Sequence, residues 1–237
     1  MTFYAGFDTD IFPGQLQLDW LKSNTNLSWC GYYLAPAPNH PDDSWMGNRQ
    51  ALIEQGWGLL PIYVGQQAGS NSLTDAQGTA DGSQAAHLAR AEGFPRDGYL
   101  YIDWEDGSPL DADAQAYLGA WAAEIVKNGY QPGVYCSHDL ADSIASLAAG
   151  LNPSPDLRIW AWNVPTTNPQ PYLGPLGAFP AVTPAGCGYV HAMAWQHLQN
   201  CVLMPGALQV DLSVSKLPDP SAASISHWQP HVTQPSP

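Results

Sequence analysis

The stretch Tyr99-Leu100-Tyr101-Ile102-Asp103-Trp104-Glu105 decides the fold. Side chains alternate along a strand, so Leu100, Ile102 and Trp104 share one face and Tyr101, Asp103 and Glu105 share the other. The apolar face suits packing on helices. The other face ends in two carboxyls, as expected of a strand that opens at its C-terminal end into the mouth of a barrel. Outward from it, seven more β-branched or aromatic runs read as strands: 4–8, 30–35, 59–65, 133–137, 158–164, 191–197 and 209–213. Helices are expected over 15–24 behind Pro13, 45–55, 83–92 ahead of Gly93, 112–128 ahead of Gly129, and 138–149. Strands alternating with helices imply a parallel sheet with right-handed crossovers, and eight such units close a (β/α)₈ barrel. Residues 165–190, rich in Pro and Gly, carry no helical period, and the gap after 197 is short, so degenerate helices are expected after strands six and seven. An open doubly wound sheet would need a Gly-rich phosphate turn after strand one, and Asp8-Thr9-Asp10-Ile11-Phe12-Pro13-Gly14 lacks it.

The chain has 237 residues, 45% of them hydrophobic and 12% charged, which fits one barrel of the usual ~250 residues. The barrel is expected over 1–216, with a Pro- and Ser-rich tail or linker over 217–237. The net charge of −14, with seven Lys and Arg, excludes a basic nucleic-acid interface and attraction to an anionic membrane surface. It also gives no steering toward an anionic polymer. No run of ~18 apolar residues occurs, so no membrane insertion is expected. Met1-Thr2-Phe3-Tyr4 opens directly into strand-like sequence without the features of a signal peptide, leaving any export route unspecified. Cys30, Cys136, Cys187 and Cys201 lack metal-ligand spacing and are expected to be mostly free, buried thiols.

The acidic residues fall at strand ends: Asp8 on strand one, Asp103 and Glu105 on strand four, Asp211 on strand eight. Strands one and eight are neighbours in a closed barrel, so Asp8 and Asp211 should lie close. Asp103 and Glu105 rise about 6–7 Å apart on one face, and such crowding raises at least one carboxyl pKa, which suits a general acid. Glycoside hydrolysis needs one protonated carboxyl for the leaving oxygen and a second group to stabilise or attack the oxocarbenium ion. Tyr33, Tyr63, Gln66, Tyr135, Trp162 and Gln196 are candidate sugar contacts, with Tyr63 and Trp162 as a stacking platform and Gln66 and Gln67 as polar loop contacts. No G-x-S-x-G nucleophile elbow occurs. His197 is read as structural. His227 and His231 have metal-pair spacing, but Pro230 between them opposes a helix.

The segments Gly6-Phe7-Asp8, Tyr101-Ile102-Asp103-Trp104-Glu105, Gly133-Val134-Tyr135, Ala194-Trp195-Gln196 and Val210-Asp211-Leu212 occur in the order seen in family 25 glycoside hydrolases, the muramidase-type lysozymes. With Gly31-Tyr32-Tyr33-Leu34-Ala35-Pro36 and 58–67, the chain resembles more closely a bacterial glycoside-hydrolase-like barrel domain of unassigned activity related to those lysozymes. The resemblance implies cleavage of the β-1,4 bond between N-acetylmuramic acid and N-acetylglucosamine in peptidoglycan, outside the cytoplasm and by a monomer without metal or cofactor. It implies Glu105 as general acid and Asp103 as the group that orients the N-acetyl group or stabilises the cation. Asp8 and Asp211 would tune the acid, with Tyr135 and Gln196 on the sugar. A barrel that holds glycan without cutting it, and a metal-dependent phosphodiesterase, are the alternatives.

Overall fold

The computed structural model describes residues 2–203 and 208–224. Its strands are β1 (Tyr4–Asp8), β2 (Trp29–Tyr33), β3 (Gly58–Tyr63), β4 (Tyr99–Asp103), β5 (Gln131–Ser137), β6 (Arg158–Trp162), the dipeptide β7 (Gln170–Pro171), β8 (Ala194–Leu203) and β9 (Leu208–Ser215). Helices α1 (Gln15–Asn24), α2 (Arg49–Glu54), α3 (Asp75–Ala91), α4 (Ala112–Lys127) and α5 (Ala141–Ala149) follow the first five strands in turn. The ladder runs β6-β5-β4-β3-β2-β1-β9-β8-β7, and pairing of β6 with β8 closes an eight-stranded α/β barrel around which β7 is an outer addition.

The last strand departs from the expectation. β9 is antiparallel to both β1 and β8. Residues 204–207 are too few for a crossover, so β8 and β9 pair as a hairpin, and a hairpin must be antiparallel. Asp211 therefore reaches the mouth from the N-terminal half of its strand. After β6 the crossover is irregular, carrying β7 and two 3₁₀ turns (Leu176–Ala178 and Pro184–Cys187) instead of a helix.

Small residues opposite large ones fill the barrel. A Cβ on Gly6 would lie 2.1 Å from the Trp29 ring. Trp29 meets Trp160 edge-on at 6.3 Å, and Tyr135 lies 4.5 Å from Trp160. Outside the barrel, α3 starts more than two turns ahead of its expected start, capped by Thr74. Gly78 and Gly82 weaken its helical signal but serve packing: a Cβ at Gly78 would sit 2.3 Å from the Tyr117 carbonyl of α4.

The first residues assigned to the tail close the opposite end of the barrel. Arg158 donates to the carbonyls of Pro220 (3.0 Å), Ala222 (2.8 Å) and Ala223 (3.1 Å) and stacks 3.4 Å over Tyr99. Ser221 bridges β3 and β4 through backbone bonds to Leu59 and Tyr99. The packed unit thus extends past Lys216. His227 and His231 lie outside the described residues. No helix among the described residues is long and apolar enough to cross a membrane. All four cysteines are buried and free. Thiol titration of the unfolded, non-reduced protein is expected to count all four, and a count of two would show a disulfide this packing does not contain.

Candidate active site

The C-terminal ends of β1, β2, β4 and β5 deliver Asp8, Tyr33, Asp103 and Tyr135 to one rim, to which the first residues of β8 add Gln196 and β9 adds Asp211. Asp8 is the cross-strand partner of Asp211, so the two side chains stand on one face of the ladder. Asp103 is the register partner of Tyr135 on β5. Gly31 makes room: a Cβ there would meet Asp8 Cβ at 2.6 Å.

Asp8 is 5% exposed and Asp103 6%. The Tyr33 hydroxyl donates to Asp8 Oδ2 at 3.1 Å. The Gln196 amide donates to Asp211 Oδ2 at 3.1 Å, and the Asn200 backbone N–H donates to Asp211 Oδ1 at 2.6 Å. Asp8 Oδ1 and Asp103 Oδ1 are buried and have no protein partner. Buried polar atoms are normally satisfied, so two orphaned carboxyl oxygens in a barrel mouth mark places where a ligand or water completes the site.

The electrostatics follow from this crowding. Burial holds Asp8 well above the usual carboxylate range, the Asp211 charge adds to it, and the Tyr33 hydrogen bond opposes both. Burial, then Glu105, pushes Asp103 up in the same way. Asp211 is pushed up to about 6 by burial; the Asn200 N–H holds it down, while Glu105 and Asp10 raise it. Tyr135 is raised first by burial and then by Asp103, Asp8, Asp211 and Glu105, which places its ring among all four acids.

Glu105 lies two residues past the end of β4 and is exposed at the rim. Gln67 fixes this extension. Its side-chain amide donates to the Asp103 carbonyl at 2.7 Å and accepts from the Glu105 N–H at 3.1 Å. One side chain thus replaces the neighbouring strand that β4 loses once β3 turns away. Gln67 is in turn set by its loop, where the Gln66 N–H donates to the Tyr117 hydroxyl and that hydroxyl donates to buried Asp81.

Two expected sugar contacts do not join the rim. Tyr63 pairs in register with Ile102, on the outer face of the sheet, and its hydroxyl donates to Gln84 of α3 at 2.8 Å. It cannot form a platform with Trp162. Gln66 spends its side chain on Ser70 within its own loop. Trp162 keeps an inward phase two residues after Trp160 and is partly exposed, with its ring near Gly107. The sequence reading missed His40, buried beneath Tyr33 at 4.8 Å between ring centroids, with an unpartnered Nε2. A loop histidine seven residues from its stacking partner carries no periodic signal. Among the described residues, no group of three or more His, Cys, Asp or Glu is arranged to hold a metal ion.

Residues 19–200 match the model of the Rv2525c-like, glycoside hydrolase-like domain. The chain belongs to this family. No curated protein matches the chain. Among solved structures, the family fold is similar to the spore cortex lytic enzyme SleM of Clostridium perfringens, with a TM-score of 0.60, 14% identity, and coverage of 95% of this chain and 68% of that one. It is similar to the Tat-secreted protein Rv2525c of Mycobacterium tuberculosis in complex with HEPES, with a TM-score of 0.55, 16% identity and coverage of 92% and 96%. It is also similar to the catalytic domain of endolysin ply40 from bacteriophage P40 of Listeria monocytogenes, with a TM-score of 0.52, 12% identity and coverage of 91% and 94%. At such identities the likeness establishes a glycoside hydrolase-like fold shared with lytic enzymes.

Proposed function

We propose that this family member is a monomeric cell-wall glycosidase that cleaves the β-1,4 bond between N-acetylmuramic acid and N-acetylglucosamine outside the cytoplasm. The observation that carries the reading is the pair of buried, unpartnered carboxyl oxygens on Asp8 and Asp103 beside an exposed Glu105. Glu105 is the general acid, because it is the exposed carboxyl of the four and so can reach an interglycosidic oxygen. Asp103, whose carboxyl burial pushes upward, presents its unpartnered oxygen to the acetamido group of the sugar. Asp8 and Asp211 stabilise positive charge developing on the sugar ring. Tyr33, Tyr135, Trp162 and Gln196 line the cleft. The fold shared with a spore cortex lytic enzyme and an endolysin supports the wall as target, and the likeness to a Tat-secreted protein supports action beyond the membrane.

The test is release of reducing ends from purified peptidoglycan by wild type and by Glu105→Gln. Equal release by the two rejects the assignment. Glycan affinity without turnover at any pH between about 4 and 8 assigns a binding barrel instead. Gln67→Ala is expected to lower turnover by roughly tenfold with KM little changed, because it frees the acid's backbone without removing the acid. Unchanged turnover would show that Glu105 is held by other means.

A further inference from the structure

The ladder between β8 and β9 is interrupted beside the mouth. It slips once between Gln196 and Leu198 and again between Leu198 and Cys201. Bulges next to a site re-aim groups that a regular ladder would point elsewhere. The second slip contains Asn200, whose φ is 55°. Among the described residues, Asp97 is the only other residue besides glycines with a positive φ. Left-handed backbone is costly for most residues, and Asn is one of the few that adopt it readily.

The turned backbone has a definite target. The Asn200 N–H donates to Asp211 Oδ1 at 2.6 Å, while Gln196 donates to Oδ2. The Asn200 side chain is tied on both sides. Its Nδ2 donates to the Thr167 carbonyl at 2.6 Å, and its Oδ1 accepts from Gln209 Nε2 at 2.8 Å. The crossover after β6 and strand β9 thus both hold one residue of β8, and that residue holds Asp211. Asp211 faces Asp8 and Asp10 at the end of β1, Glu105 beyond β4, Tyr33 of β2, Tyr135 of β5 and Cys201 of β8. All of these are negative when ionised. Against them, the N–H donors of Asn200 and Gln196 favour the ionised form of Asp211.

We propose that Asn200 is a positioning residue of this mouth, whose left-handed backbone aims its N–H at Asp211 and holds that carboxyl on the face it shares with Asp8. For its catalytic consequence the inference rests on the glycosidase reading, in which Asp211 acts as an anion. A residue that only shapes the hairpin would lower stability at every pH and leave the titration of Asp211 where it is.

Carbon-13 NMR titration of the aspartate carboxyls in the full chain compares wild type with Asn200→Gly, Asn200→Ala and Asn200→Val. The Asp211 signal is the one lost in Asp211→Asn. Glycine accepts a φ of 55° freely, alanine with difficulty, and β-branched valine hardly at all. The Asp211 midpoint, about 6 in the wild type, is expected to stay within about 0.3 unit in Asn200→Gly and to rise by about one unit in Asn200→Val, with Asn200→Ala between. Melting at pH 4 checks that each variant folds. If Asn200→Val does not, Asn200→Ala against Asn200→Gly carries the comparison. The acidic limb of peptidoglycan turnover is expected to move up in the same order. Equal midpoints in the folded variants overturn the inference. So does a rise in Asn200→Gly as large as in the others, which assigns the hold to the side chain. Midpoints that move while the acidic limb stays put overturn the role of Asn200 in the reaction. A wild-type chain without turnover at any pH overturns the glycosidase reading, and the midpoints still decide whether Asn200 positions Asp211.

Discussion

Glu105→Gln is expected to lower the rate of reducing-end release from peptidoglycan by 10²–10⁴-fold, roughly the span that a positioned general acid contributes. The substitution preserves size and the backbone bond to Gln67, and removes only the transferable proton. Glu105 is exposed, so stability should stay within about 0.5 kcal/mol of the parent. Loss of rate without loss of stability is the signature of a group acting on substrate. A matching Asp19→Asn change, exposed on α1 away from the rim, is expected to leave both quantities unchanged.

The second large effect is on stability, and it has the opposite sign. Asp211 titrates near 6 in the folded chain against an ordinary value of 3.8. The folded state therefore holds this proton more tightly than the unfolded state does. Its contribution to stability is fully present below about pH 4 and is lost as pH rises through about 6, a swing of about 3 kcal/mol at most. Asp8 and Asp103 are displaced in the same direction by burial. Asp211→Asn keeps an acceptor for the Asn200 N–H and cannot ionise. It is expected to melt about 4–8 °C above wild type at pH 7, with the difference shrinking toward pH 4. An offset identical at both pH values would show that Asp211 is not held in a charge-poor, crowded place. The same variant should lose activity, since a site that crowds buried acids gives up stability for function.

Much of this site was legible because strand periodicity is a strong signal. The phase of Tyr101, Asp103 and Glu105 was set by the apolar alternation of Leu100, Ile102 and Trp104, and the adjacency of Asp8 and Asp211 followed from barrel closure. Tyr63 was misplaced because β3, Gly58–Tyr63, is apolar on both faces, so alternation carries no phase there. Its orientation comes instead from register with β4. The hairpin was hidden by the search for eight equal units, although the short gap after 197 already left no room for a helix. The plug at 217–223 looked like linker because its hold on the barrel is carbonyls donated to by Arg158, which hydropathy does not register. Gln67 was seen only as a loop amide. That it spans Trp104 to bind on both sides is a tertiary fact.

The central claim is that β1, β4 and β9 bring their carboxyls to one sugar-binding mouth. The most direct measurement is a crystal structure of the Glu105→Gln chain soaked with a peptidoglycan-derived disaccharide-containing fragment. The account predicts sugar density across the rim, with polar groups of the sugar within hydrogen-bond distance of Asp8 Oδ1 and Asp103 Oδ1. Glycan bound elsewhere on the barrel, with those two oxygens still without a sugar partner, would contradict it.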